Sequence, residues 1–333
     1  MQQTQEDAVP IIDMAPFLET NCNEVISAKR KVVLQELRNA CEEWGFFTVI
    51  NHGLNLQFLE KALKVSEDFF GLPVEEKLKV KPAPGSTPYP AGFNNENRTQ
   101  GIHDRKELLY FFLDDSSTDV SQQRYSMYNV WPENPPHFRS VINEFTRHAE
   151  GTSKMLLRAL SESLGLPSNL IYDLSQENIN MFLMNYYPPS GLEGHTQGLG
   201  HHKDGGILTM VAQNNVAGYQ LLKGDKWITI EPLEGALVCN IGDTLQVWTN
   251  GRYKSVMHRV CNHKDHKRFS LAFMPTPSAS AQIAPLSNFT SDIGNFPKYR
   301  TFEYMEYLKL RFKNKLLAPN AKDIGIDDFR ICA

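Results

Sequence analysis

Histidine and aspartate side chains at two places in the sequence have the types and spacing of metal ligands. His202 and Asp204 stand two residues apart, just before the apolar run 207–211. In extended backbone, residues two apart point to the same side, so we expect this imidazole and this carboxylate to face one point. His258 follows 56 residues after His202, a distance that allows antiparallel strands to return the chain. Two imidazoles and one carboxylate on a single face leave coordination sites open, which suits non-haem Fe(II) chemistry with dioxygen.

A His-x-Asp pair alone is a weak signal, and other histidines compete for the role of ligand. In a strand, His201 would point away from His202 and Asp204, so we interpret it as a surface or supporting residue. His263 and His266 lie in a charged turn and are expected to be solvated. The prediction of a metal site therefore depends on other sequence features near the three candidate ligands.

A candidate receptor for an anion follows His258 by ten residues. Arg268 and Ser270 share one face of the next predicted strand, because strand side chains alternate. A guanidinium offers forked donors to a carboxylate, and a neighbouring hydroxyl adds a further hydrogen bond. An Arg-x-Ser is uninformative by itself, but in this position it predicts a receptor for one carboxylate near the metal.

The elements that must position these residues change in character along the chain. After about residue 180, short runs of β-branched and aromatic residues alternate with Gly and Asn turns, which predicts antiparallel strands of a sandwich or barrel. Residues 249–252 have the composition of a hairpin turn. The predicted helices are 24–44, 55–70, 137–164 and 301–317, and the predicted strands are 9–13, 46–50, 108–113, 181–187, 207–213, 218–222, 227–230, 236–241, 244–248, 256–260 and 268–274.

The overall composition excludes several classes of protein. The chain has 333 residues, and 34 Lys and Arg against 38 Asp and Glu give a net charge of −4, which argues against nucleic-acid and membrane partners. Neither a membrane-spanning run nor a signal peptide is visible, and the five scattered cysteines favour a reducing compartment, so we expect a cytoplasmic protein. A monomer is the default expectation for the oligomeric state.

Several longer motifs surround the candidate residues. They are 10–13 (PIID), 44–53 (WGFFTVINHG), 185–189 (NYYPP), 199–209 (LGHHKDGGILT), 240–243 (NIGD), 248–260 (WTNGRYKSVMHRV) and 268–270 (RFS). Together they make the sequence resemble the plant-type iron- and 2-oxoglutarate-dependent dioxygenases, of the fold family that includes isopenicillin N synthase. The resemblance extends over much of the chain.

The resemblance implies a fold, a domain organisation and a cofactor. It implies an α+β protein with a mainly β core, a distorted double-stranded β-helix or jelly-roll, with flanking helices and a helical N-terminal part. We expect one large domain over 1–333, in which 1–175 is a helical region with edge strands, 180–280 is the jelly-roll carrying the iron, and 281–333 is a C-terminal helix and tail. The implied cofactor is Fe(II), with 2-oxoglutarate as cosubstrate, dioxygen as oxidant and ascorbate as a candidate reductant.

The resemblance also assigns roles to residues. His202, Asp204 and His258 are the implied iron ligands. Arg268 and Ser270 are the implied anchor of the distal carboxylate of 2-oxoglutarate, assisted by Tyr187 and Asn185, which share strand parity. The sequence departs from the family pattern at Ser190, in the link 191–197 and at Lys203. None of these positions is an implied ligand, so the departures put the substrate in doubt and leave the chemistry intact.

Strand parity predicts further residues that would line a candidate substrate pocket. Ala272 and Met274 continue the face of Arg268 and Ser270, and Leu183 continues that of Asn185. From the preceding strand, Tyr110 and Phe112 are further candidates, although all five could be ordinary core residues. The loop 82–104 and the C-terminal helix are candidate lids.

The predicted activity is oxidation, most simply hydroxylation, of a small, largely apolar or aromatic specialised metabolite or hormone, with 2-oxoglutarate converted to succinate and CO2. Two alternatives stay open. One is an iron-dependent oxidase of the same fold that does not use 2-oxoglutarate, and the other is a jelly-roll that binds a small molecule without catalysis. Succinate formation on adding substrate and 2-oxoglutarate tests the first alternative, and a visible charge-transfer band with anaerobic Fe(II) and 2-oxoglutarate tests the second.

Overall fold

The structure is a computed structural model, which describes residues 8–19, 24–82, 91–99, 101–113, 128–175, 179–192, 194, 196–291, 294–316 and 325–331. Its helices are α1 (Ala15–Leu18), α2 (Glu24–Glu43), α3 (Leu56–Phe70), α4 (Val74–Leu78), α5 (Phe138–Ser163), α6 (Leu170–Leu174), α7 (Asp243–Trp248) and α8 (Tyr304–Leu316). Its strands are β1 (Ile11–Asp13), β2 (Phe46–Ile50), β3 (Gly92–Asn94), β4 (Arg98–Thr99), β5 (Ile102–His103), β6 (Glu107–Leu113), β7 (Ile179–Tyr187), β8 (Gln197–His202), β9 (Leu208–Gln213), β10 (Tyr219–Lys223), β11 (Lys226–Thr229), β12 (Leu237–Ile241), β13 (His258–Cys261), β14 (Arg268–Thr276), β15 (Gln282–Ile283) and β16 (Phe302–Glu303).

Two sheets form the β core. The larger has the order β1-β2-β12-β9-β14-β7-β6-β3, and the smaller has the order β11-β10-β13-β8. Apart from the parallel pair β1 and β2, the neighbouring strands run antiparallel. Neighbours in the sheets are mostly distant in sequence, which is the connectivity of a jelly-roll. The predicted α+β fold with a jelly-roll core is therefore confirmed.

Helices cover the outer face of the larger sheet. Val33 and Leu37 of α2, and Ile142 of α5, belong to one buried cluster with Phe182 and Met184 of β7. Phe182 and Met184 are two apart, so they share the face of the strand that points toward the helices. The alternate residues of β7 must then face the opposite way, toward the smaller sheet.

The space between the sheets holds a second buried cluster. Tyr187, Val211 and Ala272 reach into it from the larger sheet, and Leu221 and Val260 reach into it from the smaller one. Side chains of both sheets meet here, so the space between the sheets is packed. Several of these side chains also form part of the wall of the candidate site. The candidate ligands and the Arg268 anchor point into this same layer.

Most of the predicted elements are confirmed, including the helices close to 24–44, 55–70, 137–164 and 301–317. The side chain of Asn55 accepts a hydrogen bond from the backbone N–H of Gln57, so it caps α3 as predicted. Among the described residues, none of the helices combines the length and the apolar composition that a bilayer span requires.

The prediction of a strand over 244–248 is wrong, because these residues belong to helix α7. All six residues of α7 are buried, so the segment shows no amphipathic period that could distinguish a helix from a strand. The backbone N–H groups of Asp243 and Thr244 donate to the carbonyl oxygens of Asp204 and Gly206, at 2.7 and 3.1 Å. Helix α7 therefore begins directly on the loop that carries the candidate ligand Asp204.

The prediction of a hairpin at 249–252 is also wrong. Asn250 and Gly251 have positive φ values of 53° and 80°, as a hairpin turn would require. However, the N–H of Gly251 donates to the carbonyl of Gln246 at 2.8 Å, so the turn ends helix α7. Asn-Gly suits both kinds of turn, because each needs left-handed backbone.

The glycine between α2 and β2 is a position where the fold depends directly on the absence of a side chain. Gly45 has φ +65°, and a Cβ there would lie 2.2 Å from the carbonyl oxygen of Lys254. We expect Gly45→Ala to lower the free energy of unfolding by about 2 kcal/mol or more, through left-handed backbone strain and this clash. Urea unfolding followed by circular dichroism measures the change.

Gly151 provides the matched control, because it lies inside α5 and a Cβ added there would meet nothing within 4 Å. Gly151→Ala should raise stability by up to about 1 kcal/mol, since alanine has the higher helix propensity. Equal stability of the two variants would contradict the argument from backbone strain.

Candidate metal and cosubstrate site

Three side chains converge between the sheets at the edge of the smaller sheet. His202 ends β8 and pairs directly with His258, the first residue of β13. Asp204 Oδ1 lies 3.5 Å from His202 Nε2 and 3.6 Å from His258 Nε2. One ligand atom from each residue lies within 4.8 Å of the other two, so the three could hold one metal ion. His201, by contrast, is exposed, as strand parity predicted.

Strand parity explains the position of His202 but not that of Asp204, which lies beyond the end of β8. Asp204 is positioned instead by its own hydrogen bonds. Its carbonyl oxygen accepts from Asp243 N, and its Oδ2 accepts from Thr209 Oγ1 at 2.6 Å and from Asn240 Nδ2 at 2.8 Å. These bonds leave Oδ1 directed at the two imidazoles.

Backbone carbonyls orient both imidazoles. His202 Nδ1 lies 2.9 Å from the carbonyl oxygen of Gly200, and His258 Nδ1 lies 3.0 Å from that of Val256. A carbonyl oxygen only accepts, so each Nδ1 carries the proton and each Nε2 presents a lone pair. Burial, and then the proximity of His258, lower the pKa of His202, which favours the neutral form that binds a metal.

The electrostatics of Asp204 favour its charged form. Burial alone would raise the pKa of this carboxyl, but the neighbouring imidazoles of His258 and His202 lower it well below its usual value. Tyr219 adds support from β10, because its hydroxyl donates to Asn240 Oδ1 at 3.0 Å. An ionised carboxylate and two imidazoles form a ligand set suited to a divalent cation.

Arg268 stands across the cavity with unused hydrogen-bonding capacity. Its side chain is only 1% exposed, and Nη2 donates to Gln213 Oε1 at 2.6 Å. Within the described part of the chain, Nε and Nη1 have no acceptor. Buried donors without acceptors are costly, so a guanidinium in this state fits a site for an anion. Ser270, two residues along the same face, adds a buried hydroxyl beside it.

The other predicted cosubstrate residues stand beside this anchor. Tyr187 and Asn185 of β7 pair in register with Arg268 and Ser270 of β14. The guanidinium carbon of Arg268 lies 5.0 Å from the centre of the Tyr187 ring. Burial raises the pKa of Tyr187 to about 12, despite the nearby guanidinium, so its hydroxyl stays protonated and can donate.

The structure divides the predicted substrate residues into two groups. Leu183, Ala272 and Met274 line the same cavity as the candidate ligands. Tyr110 and Phe112 instead belong to an adjoining apolar cluster, which shares Leu183 with the cavity wall. The latter two therefore extend the apolar surface away from the metal ligands rather than lining the cavity around them.

Sequence reasoning missed several residues of the site. Lys106 lines the cavity and donates to Asn185 Oδ1 at 3.1 Å. Parity could have found it, because it lies two residues before Leu108 and four before Tyr110 on the same strand face. Gln213 could have been found in the same way from its position in β9. Asn240 has no local signal for its contact with Asp204, since the two are 36 residues apart.

The two candidate lids are partly described. In the first, residues 83–90 and 100 lie outside the described residues, while Asp104 anchors the end of the segment to β8. Asp104 Oδ1 accepts from Gly200 N and from Gln197 Nε2, both at 2.9 Å. In the second, the α8 residue Tyr307 donates to Asp243 Oδ2 at 2.5 Å. The first segment thus contacts β8, which carries His202, and the second contacts α7, which begins on the loop that carries Asp204.

Comparisons with known proteins agree with this arrangement. A family model described as "2OG-Fe(II) oxygenase superfamily" matches residues 178–277, and one described as "non-haem dioxygenase in morphine synthesis N-terminal" matches residues 9–134. The Arabidopsis thaliana protein Lateral Branching Oxidoreductase 1 is 30% identical over 95% of this chain and 84% of its own length. Flavanone 3-dioxygenase 2 of Oryza sativa is 32% identical over 90% of this chain and 82% of its own length.

A crystal structure of JOX2 in complex with 2OG, Fe and JA superposes with a TM-score of 0.80 at 27% identity, over 98% of this chain and 90% of that one. The jelly-roll and the ligand cluster thus occur together with sequence similarity along nearly the whole chain. The chain belongs to the 2OG-Fe(II) oxygenase superfamily, in its plant-type branch. It is an oxidoreductase that uses Fe(II) and 2-oxoglutarate.

The unpaired guanidinium gives a prediction about stability. Arg268→Met removes a buried cation with two unsatisfied nitrogens and fills a similar volume with apolar atoms. We expect the metal-free variant to unfold within about 1 kcal/mol of wild type, or to be more stable. Urea unfolding measures this, with Leu271→Ala on the opposite face of β14 as the control that should cost about 2–5 kcal/mol. An equal cost for the two variants would contradict the argument that the two unpaired nitrogens of Arg268 make it costly to the fold.

Proposed function

We propose that His202, Asp204 and His258 bind Fe(II), and that Arg268 with Ser270 holds the distal carboxylate of 2-oxoglutarate. The observation that carries this proposal is the buried guanidinium with two unpaired nitrogens in the same cavity as the ligand cluster. A carboxylate of the cosubstrate would accept a charge-assisted hydrogen bond from one of these unpaired nitrogens. Tyr187 and Asn185 assist from the neighbouring strand.

With Fe(II), 2-oxoglutarate and dioxygen bound, such a site couples decarboxylation of 2-oxoglutarate to succinate and CO2 with oxidation of a substrate C–H bond. The chain itself positions the ligands and shields the site from water. The carbonyls of Gly200 and Val256 hold the imidazoles at fixed angles, and Thr209 with Asn240 holds the carboxylate. We assign no side chain a role as general acid or base, because the two half-reactions need only correctly placed ligands and a dry cavity.

We propose a small, largely apolar or aromatic specialised metabolite or hormone as substrate, with hydroxylation as the reaction. The cavity wall supports this, since Leu183, Leu199, Val211, Ala272 and Met274 give it an apolar surface. The relatives support it too, because one is named as a dioxygenase of flavanone and a structural neighbour holds JA. Ascorbate is the proposed reductant that keeps the iron in the ferrous state.

We propose that the protein acts as a monomer in the cytoplasm. The thiols of Cys41, Cys239 and Cys261 are unpaired, which fits a reducing compartment. Light scattering on the purified protein and imaging of a fluorescent fusion test the two statements. A stable dimer or a signal in a secretory compartment would contradict them.

The decisive test measures succinate. Purified protein with Fe(II), ascorbate and 2-oxoglutarate is screened against small metabolites, and we expect substrate-stimulated succinate release with a product 16 Da heavier, since one oxygen atom is inserted. Arg268→Met should reduce 2-oxoglutarate affinity by about 100-fold or more, because a buried charge-assisted contact is lost. Anaerobic addition of Fe(II) and 2-oxoglutarate should also give a visible charge-transfer band.

Two results would favour the alternatives. Turnover without succinate would identify an iron oxidase that does not use 2-oxoglutarate. A protein that binds metabolites but shows no band, and whose binding is unchanged by His202→Ala, would be a binder without catalysis. The variant Arg252→Met, in which an exposed ion pair with Glu42 is lost, is the control and should leave the band intact.

The lowered pKa of His202 favours its neutral form, which is the form that binds a metal. Protons compete with the metal for the imidazole nitrogens, so we expect Fe(II) affinity to fall as the pH decreases below neutrality. Anaerobic metal titrations at several pH values measure this, and His202→Ala should bind weakly at all of them. An Fe(II) affinity that does not fall between about pH 7 and 5 would contradict this competition.

A further inference from the structure

One side chain of the smaller sheet contacts both the support of the metal ligands and the Arg268 anchor. Tyr219 is the first residue of β10, is 4% exposed and lines the cavity. Its hydroxyl donates to Asn240 Oδ1 at 3.0 Å, and the guanidinium carbon of Arg268 lies 5.9 Å from the centre of its ring. Asn240 and Arg268 belong to two different strands of the larger sheet, β12 and β14. Tyr219 therefore reaches across the space between the sheets to two separate groups.

The hydroxyl of Tyr219 acts on Asp204 through Asn240. The side chain of Asn240 is fully buried, and its Nδ2 donates to Asp204 Oδ2 at 2.8 Å. Because the amide oxygen accepts from Tyr219, the amide presents its N–H group to the carboxylate. Without the hydroxyl, this oxygen would lose its donor in a place that burial separates from water. Asn240 would then hold the carboxylate of Asp204 less firmly.

The ring of Tyr219 acts on the guanidinium of Arg268. This guanidinium lies within cation–π distance of two rings, that of Tyr219 and that of Tyr187, whose centre is 5.0 Å away. The backbone of β10 approaches it closely as well, since a Cβ added to Gly218 would lie 3.4 Å from Arg268 Cδ. Gln213 accepts a hydrogen bond from Nη2 at the end of the side chain. The two rings restrict the position of the guanidinium in directions that this single hydrogen bond does not control.

Packing fixes the ring of Tyr219 independently of its hydroxyl. The ring meets the imidazole of His258 edge to face, with centres 5.6 Å apart, and Phe46 packs against both rings at 5.8 and 5.5 Å. Removing the hydroxyl alone should therefore leave the ring in place. We propose that Tyr219 is a positioning residue with two separable roles, in which its hydroxyl positions Asp204 for the metal and its ring positions Arg268 for the cosubstrate. This inference rests on the proposed function and adds a residue to the same site.

Two variants of Tyr219 separate the two roles. Tyr219→Phe removes the hydroxyl, so Fe(II) affinity should fall about 10-fold, whereas 2-oxoglutarate affinity at saturating Fe(II) should stay within about 2-fold of wild type. Tyr219→Leu also removes the ring and should in addition lower 2-oxoglutarate affinity by about 10-fold. Anaerobic calorimetry measures Fe(II) binding, and the growth of the charge-transfer band measures 2-oxoglutarate binding. An Fe(II) affinity unchanged by Tyr219→Phe, or a 2-oxoglutarate affinity unchanged by Tyr219→Leu, overturns the proposal.

Double-mutant cycles test the route of each effect. If the hydroxyl acts through Asn240, Tyr219→Phe should not weaken Fe(II) binding further in an Asn240→Leu background. If the ring acts through Arg268, Tyr219→Leu should not weaken 2-oxoglutarate binding further in an Arg268→Met background. Additive losses in either cycle contradict the proposed contact.

Tyr253→Phe is the matched control. It also removes a buried tyrosine hydroxyl from a hydrogen bond, with Ser163 Oγ at 2.6 Å, but in the buried cluster that the helices cover. It should lower stability and leave both affinities unchanged. If it weakened Fe(II) binding as much as Tyr219→Phe, the effect would be a general loosening of the fold and the proposal would be wrong.

Two further measurements keep these results interpretable. Thermal unfolding shows whether each variant is folded, and Tyr219→Met replaces Tyr219→Leu if the latter is not. The charge-transfer band is recorded first on wild type. A wild-type protein that forms no band contradicts the proposed function, whereas a wild-type band with Tyr219 variants that bind both ligands normally contradicts only the role of Tyr219.

Discussion

The antiparallel pairing of β8 with β13 is the constraint on which the rest of the site depends. It puts His202 directly opposite His258, with ring centres 4.2 Å apart. Two imidazoles so close would be a poor arrangement without a cation between them, and Asp204 provides the negative charge that such a cation needs. Much of the surrounding structure holds this group in place, from the carbonyls behind each imidazole to the start of α7 on the carbonyl of Asp204.

That support comes from parts of the chain that are far apart in sequence. Asn240 of β12 and Tyr219 of β10 act on Asp204 through a chain of two hydrogen bonds. Asp104 fixes the backbone of Gly200, whose carbonyl in turn orients His202. A metal site built in this way is rigid because each ligand has a hydrogen-bond partner that fixes its orientation, which is how proteins usually fix coordination geometry. The cost is that buried polar groups must all be satisfied.

Helices and strands with a clear hydrophobic period were predictable from the sequence, and so were residues whose spacing along one strand is informative. The amphipathic α2, α3 and α5 and most strands were predictable, and so were Arg268 and Ser270, because they share one strand face. Helix α7 was not predictable, since a fully buried segment has no amphipathic pattern. The contact of Asn240 with Asp204 was not predictable either, because it depends on the pairing of β12 with β9. Lys106 was within reach of the parity argument but stands at the edge of its strand.

The order of the strands has a consequence for how such an enzyme can diverge. The groups proposed for the reaction lie on or next to β7, β8, β13 and β14, whereas β6 contributes an adjoining apolar surface with Tyr110 and Phe112. None of the proposed ligands or cosubstrate residues lies on β6. Substitutions on β6 can therefore change which molecule is accepted while iron and cosubstrate binding are conserved. In directed evolution of this enzyme, a library confined to 108–112 would sample new selectivities at little risk to turnover.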